Sequence, residues 1–483
     1  MAPKSLFWWL CILVCISLTA CGPKTQASPT ADQKVIASAV AATLEAASTA
    51  TQRAMPTLPA TEVPAPTFTL PPAEPTLPPA TPTTPPSPTT APPLVPDTLV
   101  AYTKNSDVYL WTRKDGPSRL TDMHDVVGVR LSEDGTLIAF KRQDPNDITL
   151  QELWVVNSSG VPNPAVLVSV DELAALVPPE QSPNILGYGV LDFAWRPGTH
   201  ELAYNTLVLH EGPGFGPNHD LRLVNADTLQ KRTLFDTGQG GLFYYSPDGS
   251  QIALSNPESI SLVNADGSNY RPDVLTFPSV ITYSEYEYHP HPIWAKDSGS
   301  IGITIPPHDP LSDPTPLTQV WLIPLDGSQP TLLNSIPAIP FAWPDTALSP
   351  DLQLAGYSMN MGAANPNLRA LHIARLDGMN DRFYDSGESL EFASWSPDST
   401  HFIYRVQGGE NEGLYSGGLT DSPQKLVADP HSVREIEWLD GTNIIYIMNK
   451  NNQWELHFGN LDGADLYLID ILPDASPDFD LLP

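Results

Sequence analysis

The chain has 483 residues, 53 of them proline, and a formal net charge of -31 at neutral pH, with 24 Lys and Arg set against 55 Asp and Glu. That length predicts more than one domain. A surface this acidic, with no Lys/Arg-rich run, repels phosphate backbones and excludes nucleic acid as the expected partner.

The N-terminus reads as a targeting segment. Lys4 gives a positive start, Leu6 to Ser17 is apolar, and Leu18-Thr-Ala-Cys21-Gly22 follows. A stretch this short is a secretory signal and not a stable spanning helix. Leu18-Thr-Ala-Cys21 resembles the lipobox of bacterial lipoproteins. The resemblance implies that residues 1–20 are a signal peptide, that the Cys21 thiol is lipidated, and that the mature chain is held to a membrane. Cysteine usage agrees: of three Cys, Cys11 and Cys15 leave with the leader, so Cys21 is alone and no disulfide forms in the mature chain. Multiple acyl chains are enough for stable anchoring.

Residues 21–54 form the anchored N-terminus. Val35, Ile36, Ala39, Val40, Leu44 and Ala47 recur at helical spacing, which predicts a short Ala-rich helix, exposed or weakly self-associating. Residues 55–96 are Pro, Thr and Ala in near-repeats such as Pro78-Pro-Ala-Thr-Pro-Thr-Thr-Pro-Pro86. This composition buries no core and favours a disordered, extended stalk. At about 3 Å per residue it reaches on the order of 100 Å from the membrane.

From residue 97 to the end the chain repeats itself. The clearest copy is Glu391-Phe-Ala-Ser-Trp-Ser-Pro-Asp-Ser-Thr-His-Phe-Ile-Tyr-Arg405, read as strand, tight turn and strand. Pro presets φ for the turn and Asp bonds nearby backbone N–H groups. Degenerate copies place Leu131, Trp195, Tyr245, Trp294, Leu348, Trp395 or Trp438 just before the turn. Seven residues later stands Ile138, Leu202, Ile252, Ile301, Ala355, Phe402 or Ile445. A constant offset keeps one face of a hairpin buried. Between these turns lie apolar runs ending in Asp-Gly or a close variant, such as Ile260 to Gly267 and Val320 to Gly327, a strong hairpin signal. Each unit is therefore four strands, A to D, and four-stranded repeats of about 40–50 residues predict a β-propeller.

The fold class is thus all-β, with four-stranded antiparallel blades. Leu99-Val-Ala-Tyr-Thr103 reads as a strand B with no strand A before it. Ala475-Ser-Pro-Asp478 reads as a strand A turn with no strand B after it. One blade shared by the two chain ends makes eight blades and leaves no open edge. Seven blades is the alternative, because Gly463 to Pro477 is short for both a strand D and a strand A. The Trp-Ser-Pro-Asp-Ser/Gly turn resembles the TolB-like, or PD40, subclass of propeller repeats, most closely at Tyr245 to Gly249 and Trp395 to Ser399. The resemblance covers nearly all of residues 97–483 and implies protein–protein interaction. Trp-Asp and Gly-His pairs of the WD40 kind are absent.

Loop lengths pick out a face. Turns A–B and C–D are short, whereas insertions fall between B and C (205–220, 305–319, 358–369) or between D and A (170–189, 277–292). Both kinds emerge on one face, the expected partner face, since variable loops on a rigid scaffold carry function. Its candidate binding residues are Tyr283, Tyr286, Tyr288, His289 and His291 in one loop, His210, Phe215 and His219 in another, and His308. The His289-Pro-His291 pair suits a strand presenting two imidazoles on one side, but no third ligand is identifiable, so no metal is assigned. Ca²⁺ or another divalent metal stays open, with Asp309 to Asp313 as an acidic loop lacking the EF-hand ligand order. Trp195, Trp294, Trp395 and Trp438 are expected to pack between blades. No Gly-x-Ser-x-Gly occurs, so no catalytic residue is assigned.

The expected protein is a lipid-anchored propeller of the bacterial cell envelope, facing outside the cytoplasm. It binds a protein, a peptide or an envelope polysaccharide. The alternative is a propeller hydrolase or lyase acting on sugars or lactones.

Overall fold

A computed structural model describes residues 98–482, apart from 178–183, 212–214, 285, 313–316, 338–346, 363–364, 366 and 462–466. The signal peptide, the anchor at Cys21, the helix expected over 31–54 and the Pro/Thr-rich stalk lie outside the described residues.

Eight antiparallel sheets follow one another along the chain. Blade 1 is Val126–Leu131, Leu137–Asp144, Asp147–Asn157 and Ala165–Val168. Blade 2 is Ile185–Trp195, Glu201–His210, Leu221–Asn225 and Lys231–Phe235, with a fifth short strand, Phe215–Pro217, folded back on strand B. Blade 3 runs from Leu242 to Thr276, blade 4 from Ile293 to Ile336, blade 5 from Ala347 to Glu388, blade 6 from Glu391 to Val427, and blade 7 from Val433 to Leu472. Blade 8 takes its strands B, C and D from Leu99–Lys104, Asp107–Thr112 and Gly116–Arg119, and its strand A from Phe479–Leu482 at the other end of the chain. The ring therefore has eight blades, and its ends share a sheet.

Strand B of each blade shows why the ring closes. Its side chains alternate between two interfaces, following the period of two of a β-strand. In blade 3, Ile252 and Leu254 join the core shared with blade 2, while Ala253 joins the core shared with blade 4. In blade 7, Ile445 and Ile447 face blade 8, and Ile444 and Tyr446 face blade 6. Each neighbouring pair of blades, including 7 with 8 and 8 with 1, has its own apolar cluster. A strand buried on both faces must be apolar throughout, as Asn443–Lys450 nearly is.

The sequence offset of seven is a register. Leu131 pairs with Ile138, Trp195 with Leu202, Tyr245 with Ile252, Trp294 with Ile301, Leu348 with Ala355 and Trp395 with Phe402. The last copy departs from it. Trp438 pairs with Ile444, not Ile445, because its turn is one residue shorter and closes from Leu439 N–H to Asn443 C=O. The Ser476-Pro477-Asp478 segment also differs from expectation. It is not an A–B turn but the approach to strand A, which begins at Phe479. Its carboxylate instead accepts from Val129 N–H of blade 1 at 3.0 Å and pairs with Arg130 at 3.2 Å.

In the Ser-Pro-Asp turns the Ser and Asp side chains do different work. Ser246 is fully buried; its N–H donates to Gln251 C=O and its Oγ accepts from Gln251 N–H, both at 2.9 Å. Its Oγ–H donates to Asp248 at 2.6 Å, and Asp248 accepts from Ser250 N–H at 3.0 Å. Ser132, Ser349 and Ser396 repeat the arrangement. Burial raises the carboxyl pKa of Asp248 and Asp398, but the bonds from these hydroxyls and N–H groups outweigh it and hold both below the ordinary value. The fourth turn residue takes a left-handed φ, as at Gly249 (66°) and Ser399 (63°). The tryptophans before the turns tie blades together: Trp195 Nε1 donates to Arg130 C=O, Trp294 to Tyr244 C=O and Trp438 to Ser394 Oγ.

Candidate functional site on the loop face

In an up-and-down blade the A–B and C–D turns share one face, and the B–C and D–A loops share the other. One insertion on the loop face holds a helix, Val170–Ala174, capped reciprocally by Ser169 and Glu172. Ser-x-x-Glu is legible in the sequence as a capping box. The loop face also carries Ile148, Leu186, Tyr283, Leu311, Leu317 and Met361, each a large apolar side chain left exposed; Leu311 is 69% exposed and Tyr283 59%.

The candidate histidines separate into different environments. No strand forms between Tyr283 and Tyr288 among the described residues, and His289 to Pro292 is also irregular. His289 and His291 therefore do not share a strand face. His291 stacks edge-on against Tyr244, with ring centres 4.7 Å apart, and burial pushes its pKa down to about 4. His308 bonds through Nδ1 to Ser279 C=O. His210 closes strand B of blade 2 opposite Ile185. Phe215 starts the short fifth strand, paired with Leu209. Tyr283 donates its hydroxyl to Asp309 at 2.6 Å, the C=O of Tyr286 accepts from Thr282, and Tyr288 is buried.

His219 and His289 do come together, 70 positions apart in sequence, with rings 5.4 Å apart and nearly stacked. Buried neighbours position His219. Asn218 donates from its side chain to Thr206 Oγ1, and Asp220, fully buried, accepts from Thr206 N–H at 2.8 Å. Held between them, His219 takes a left-handed φ of 48°, a region that few non-glycine residues enter and that His enters more readily than most. Both imidazoles are then fixed by consecutive residues at the end of strand B of blade 3. His289 Nδ1 lies 3.2 Å from Ser255 C=O, and His219 Nδ1 lies 2.9 Å from Asn256 Oδ1. Asn256 Nδ2 donates to Gly240 C=O at 3.0 Å, which turns its amide oxygen toward His219. Both Nδ1 atoms thus carry the proton, and both Nε2 lone pairs are free.

Glu287 completes the group. Its Oε2 lies 3.6 Å from His219 Nε2 and 3.9 Å from His289 Nε2. Burial, opposed by the Ser255 carbonyl and reinforced by His219, pushes His289 down to about 4. The sequence reading passed over Glu287, although Glu287-x-His289 sits in the loop it singled out. No spacing signal links that loop to His219. An open depression lined by Pro257, Ile281, Tyr283, Tyr286 and Tyr288 runs up to Glu287.

No protein-family model and no curated protein matches this chain. Solved structures that match include TolB proteins, the type whose repeat the sequence resembles. The chain is similar to TolB from Acinetobacter baumannii at 14% identity and a TM-score of 0.31, over 59% of this chain and 62% of that one, so it spans less than two thirds of that protein. It is similar to an oligogalacturonate lyase in complex with manganese at 13% identity and a TM-score of 0.40, over 74% of this chain and 82% of that one. It is similar to dipeptidyl peptidase 4 of Porphyromonas gingivalis at 10% identity and a TM-score of 0.47, over 71% of this chain and 53% of that one. At scores this low the likenesses carry no argument about function. The eight-bladed propeller rests on this chain's own strand pairing.

Proposed function

We propose that this protein is a membrane-anchored extracytoplasmic propeller lipoprotein of the bacterial envelope, which binds a protein, a peptide or an envelope polymer through its loop face. One observation carries the binding reading. On the loop face the B–C and D–A loops expose Tyr283, Leu311, Leu317 and Met361, and the strand ends beside them expose Ile148 and Leu186, whereas on the opposite face single C–D turns expose Val161, Leu229, Tyr270 and Met379. What sets the loop face apart is that Ile281, Tyr283, Tyr286 and Tyr288 gather around one depression there, and clustered apolar and aromatic groups, not scattered single ones, are the usual mark of a binding surface. The anchoring part rests on the sequence around Cys21, and the net charge of -31 supports a solvated exterior. Among the described residues no helix is long and apolar enough to cross a membrane.

A Cys21→Ser variant tests the anchor: the full chain leaves the membrane fraction if Cys21 holds it there, and an unchanged distribution contradicts the reading. A second reading, a hydrolase or lyase acting on sugars or lactones, draws on the convergence of His219, His289 and Glu287. It predicts turnover of a glycan or lactone panel by the full chain, lost in His219→Ala; no turnover across the panel removes it.

A further inference from the structure

We infer that His219, His289 and Glu287 form a binding site for a divalent transition metal of the zinc class. The inference goes beyond the binding reading and does not depend on which partner the face takes.

The ligand atoms of the three residues lie within 4.8 Å of one another. Zinc–nitrogen and zinc–oxygen bonds of about 2.0–2.2 Å set ligand atoms roughly 3.3 Å apart around a tetrahedral ion. The Glu287 separations of 3.6 and 3.9 Å need a contraction of only a few tenths of an ångström, and Glu287, 58% exposed, is free to supply it. Imidazole nitrogen with one carboxylate favours zinc-like ions over Ca²⁺ or Mg²⁺, which take oxygen ligands. Three protein ligands leave a fourth position open to solvent or to a donor atom of a bound partner.

Two further features point to a ligand. His289 Nε2 is buried with no hydrogen-bond partner, on a side chain only 7% exposed. An orphaned buried acceptor is costly, and a cation at the convergence point satisfies it. Each imidazole also donates its Nδ1 proton to a fixed oxygen, Ser255 C=O or Asn256 Oδ1. That outer contact selects the tautomer that metal-bound histidines use.

A second group with the same kinds of ligand sharpens the point. Asp107, Asp122 and His124 also converge, but Arg119 already lies between the two carboxylates, 2.6 Å from Asp107. That group has its cation built in. At His219, His289 and Glu287 the contacts among described residues supply none.

The test uses the untagged full chain, stripped with chelator and titrated with Co²⁺, followed by visible absorption and by Zn²⁺ competition. One Co²⁺ per chain is expected, displaced by Zn²⁺. His219→Ala and Glu287→Gln, neither deeply buried, should each weaken binding at least about 100-fold, and Asn256→Ala by about 10–100-fold through loss of the outer contact. His124→Ala and His308→Ala should leave affinity unchanged. Absence of stoichiometric binding overturns the inference. So does undiminished binding in the His219→Ala, Glu287→Gln double variant with an unchanged circular dichroism spectrum, or binding lost only with His124.

Discussion

The two faces of the ring are built from the same blades by opposite rules. On the turn face Ser132, Ser246, Ser349 and Ser396 are each fully buried, and each is bonded both to a following Asp and to the start of strand B. Among the described residues of the loop face no such pattern recurs. The left-handed φ of His219 belongs to no repeated turn, unlike that of Ser399, and His289 keeps a buried nitrogen without a partner. Repetition on one side makes the scaffold rigid. That rigidity lets the other side hold irregular backbone and unsatisfied groups that a less constrained loop would relax away.

Substitutions separate the faces, beginning with the closure on which both depend. Phe479 is fully buried between blades 7 and 8, and Phe479→Ala should cost about 3–5 kcal/mol in denaturant unfolding. A smaller loss leaves the ring closed by something other than this strand. Ser396→Ala, on the turn face, removes the acceptor for His401 N–H and the donor to Asp398, for an expected cost of about 1–3 kcal/mol. Gly249→Ala forces a Cβ to 2.6 Å from Pro197 C=O at a left-handed φ, so a loss of at least about 1–2 kcal/mol should appear in the same assay. Tyr283→Ala and Leu311→Asp, on the loop face, should shift stability by less than about 0.5 kcal/mol. A loop-face loss as large as that of Ser396→Ala would erase the distinction.

Acid sharpens the contrast. Asp248 and Asp398 have carboxyl pKa values depressed below the unfolded value of about 3.9. Their contribution is complete above about pH 4 and is lost as pH falls through the lower folded values. Asp398→Asn should therefore flatten the fall in thermal midpoint below pH 4 and leave its slope near pH 6 unchanged. An equal slope below pH 4 in both proteins contradicts the role given to this carboxylate.

How much was legible in the sequence depends on how locally each feature is encoded. The pairing of Trp395 with Phe402 is written within one turn, so periodicity alone fixes it. The blade shared by the chain ends was readable from Leu99–Thr103, which reads in the sequence as a strand B with no strand A before it, and this segment pairs with Phe479–Leu482. The one-residue shift at Trp438 was not, because Leu439-Asp-Gly441 is one residue shorter than its relatives and Ile444 and Ile445 are both apolar. Asp478 looked like a turn residue because it follows Ser-Pro, yet its partners, Val129 and Arg130, lie across the ring closure. The pairing of His219 with His289 is the extreme case. It depends on Asn256 and Ser255 from a third segment, and no periodic signal connects the three.

The most direct test of the central claim, that the loop face is where this propeller meets its partner, is site-specific photo-crosslinking of the full chain in intact cells. A photoreactive side chain is placed at Leu311 or Met361 on the loop face, or at Lys296 or Asp115 on the turn face, all exposed. Discrete adducts from Leu311 and Met361, with none from Lys296 and Asp115, are the predicted result. Adducts confined to the turn face, or equal from both, would contradict it.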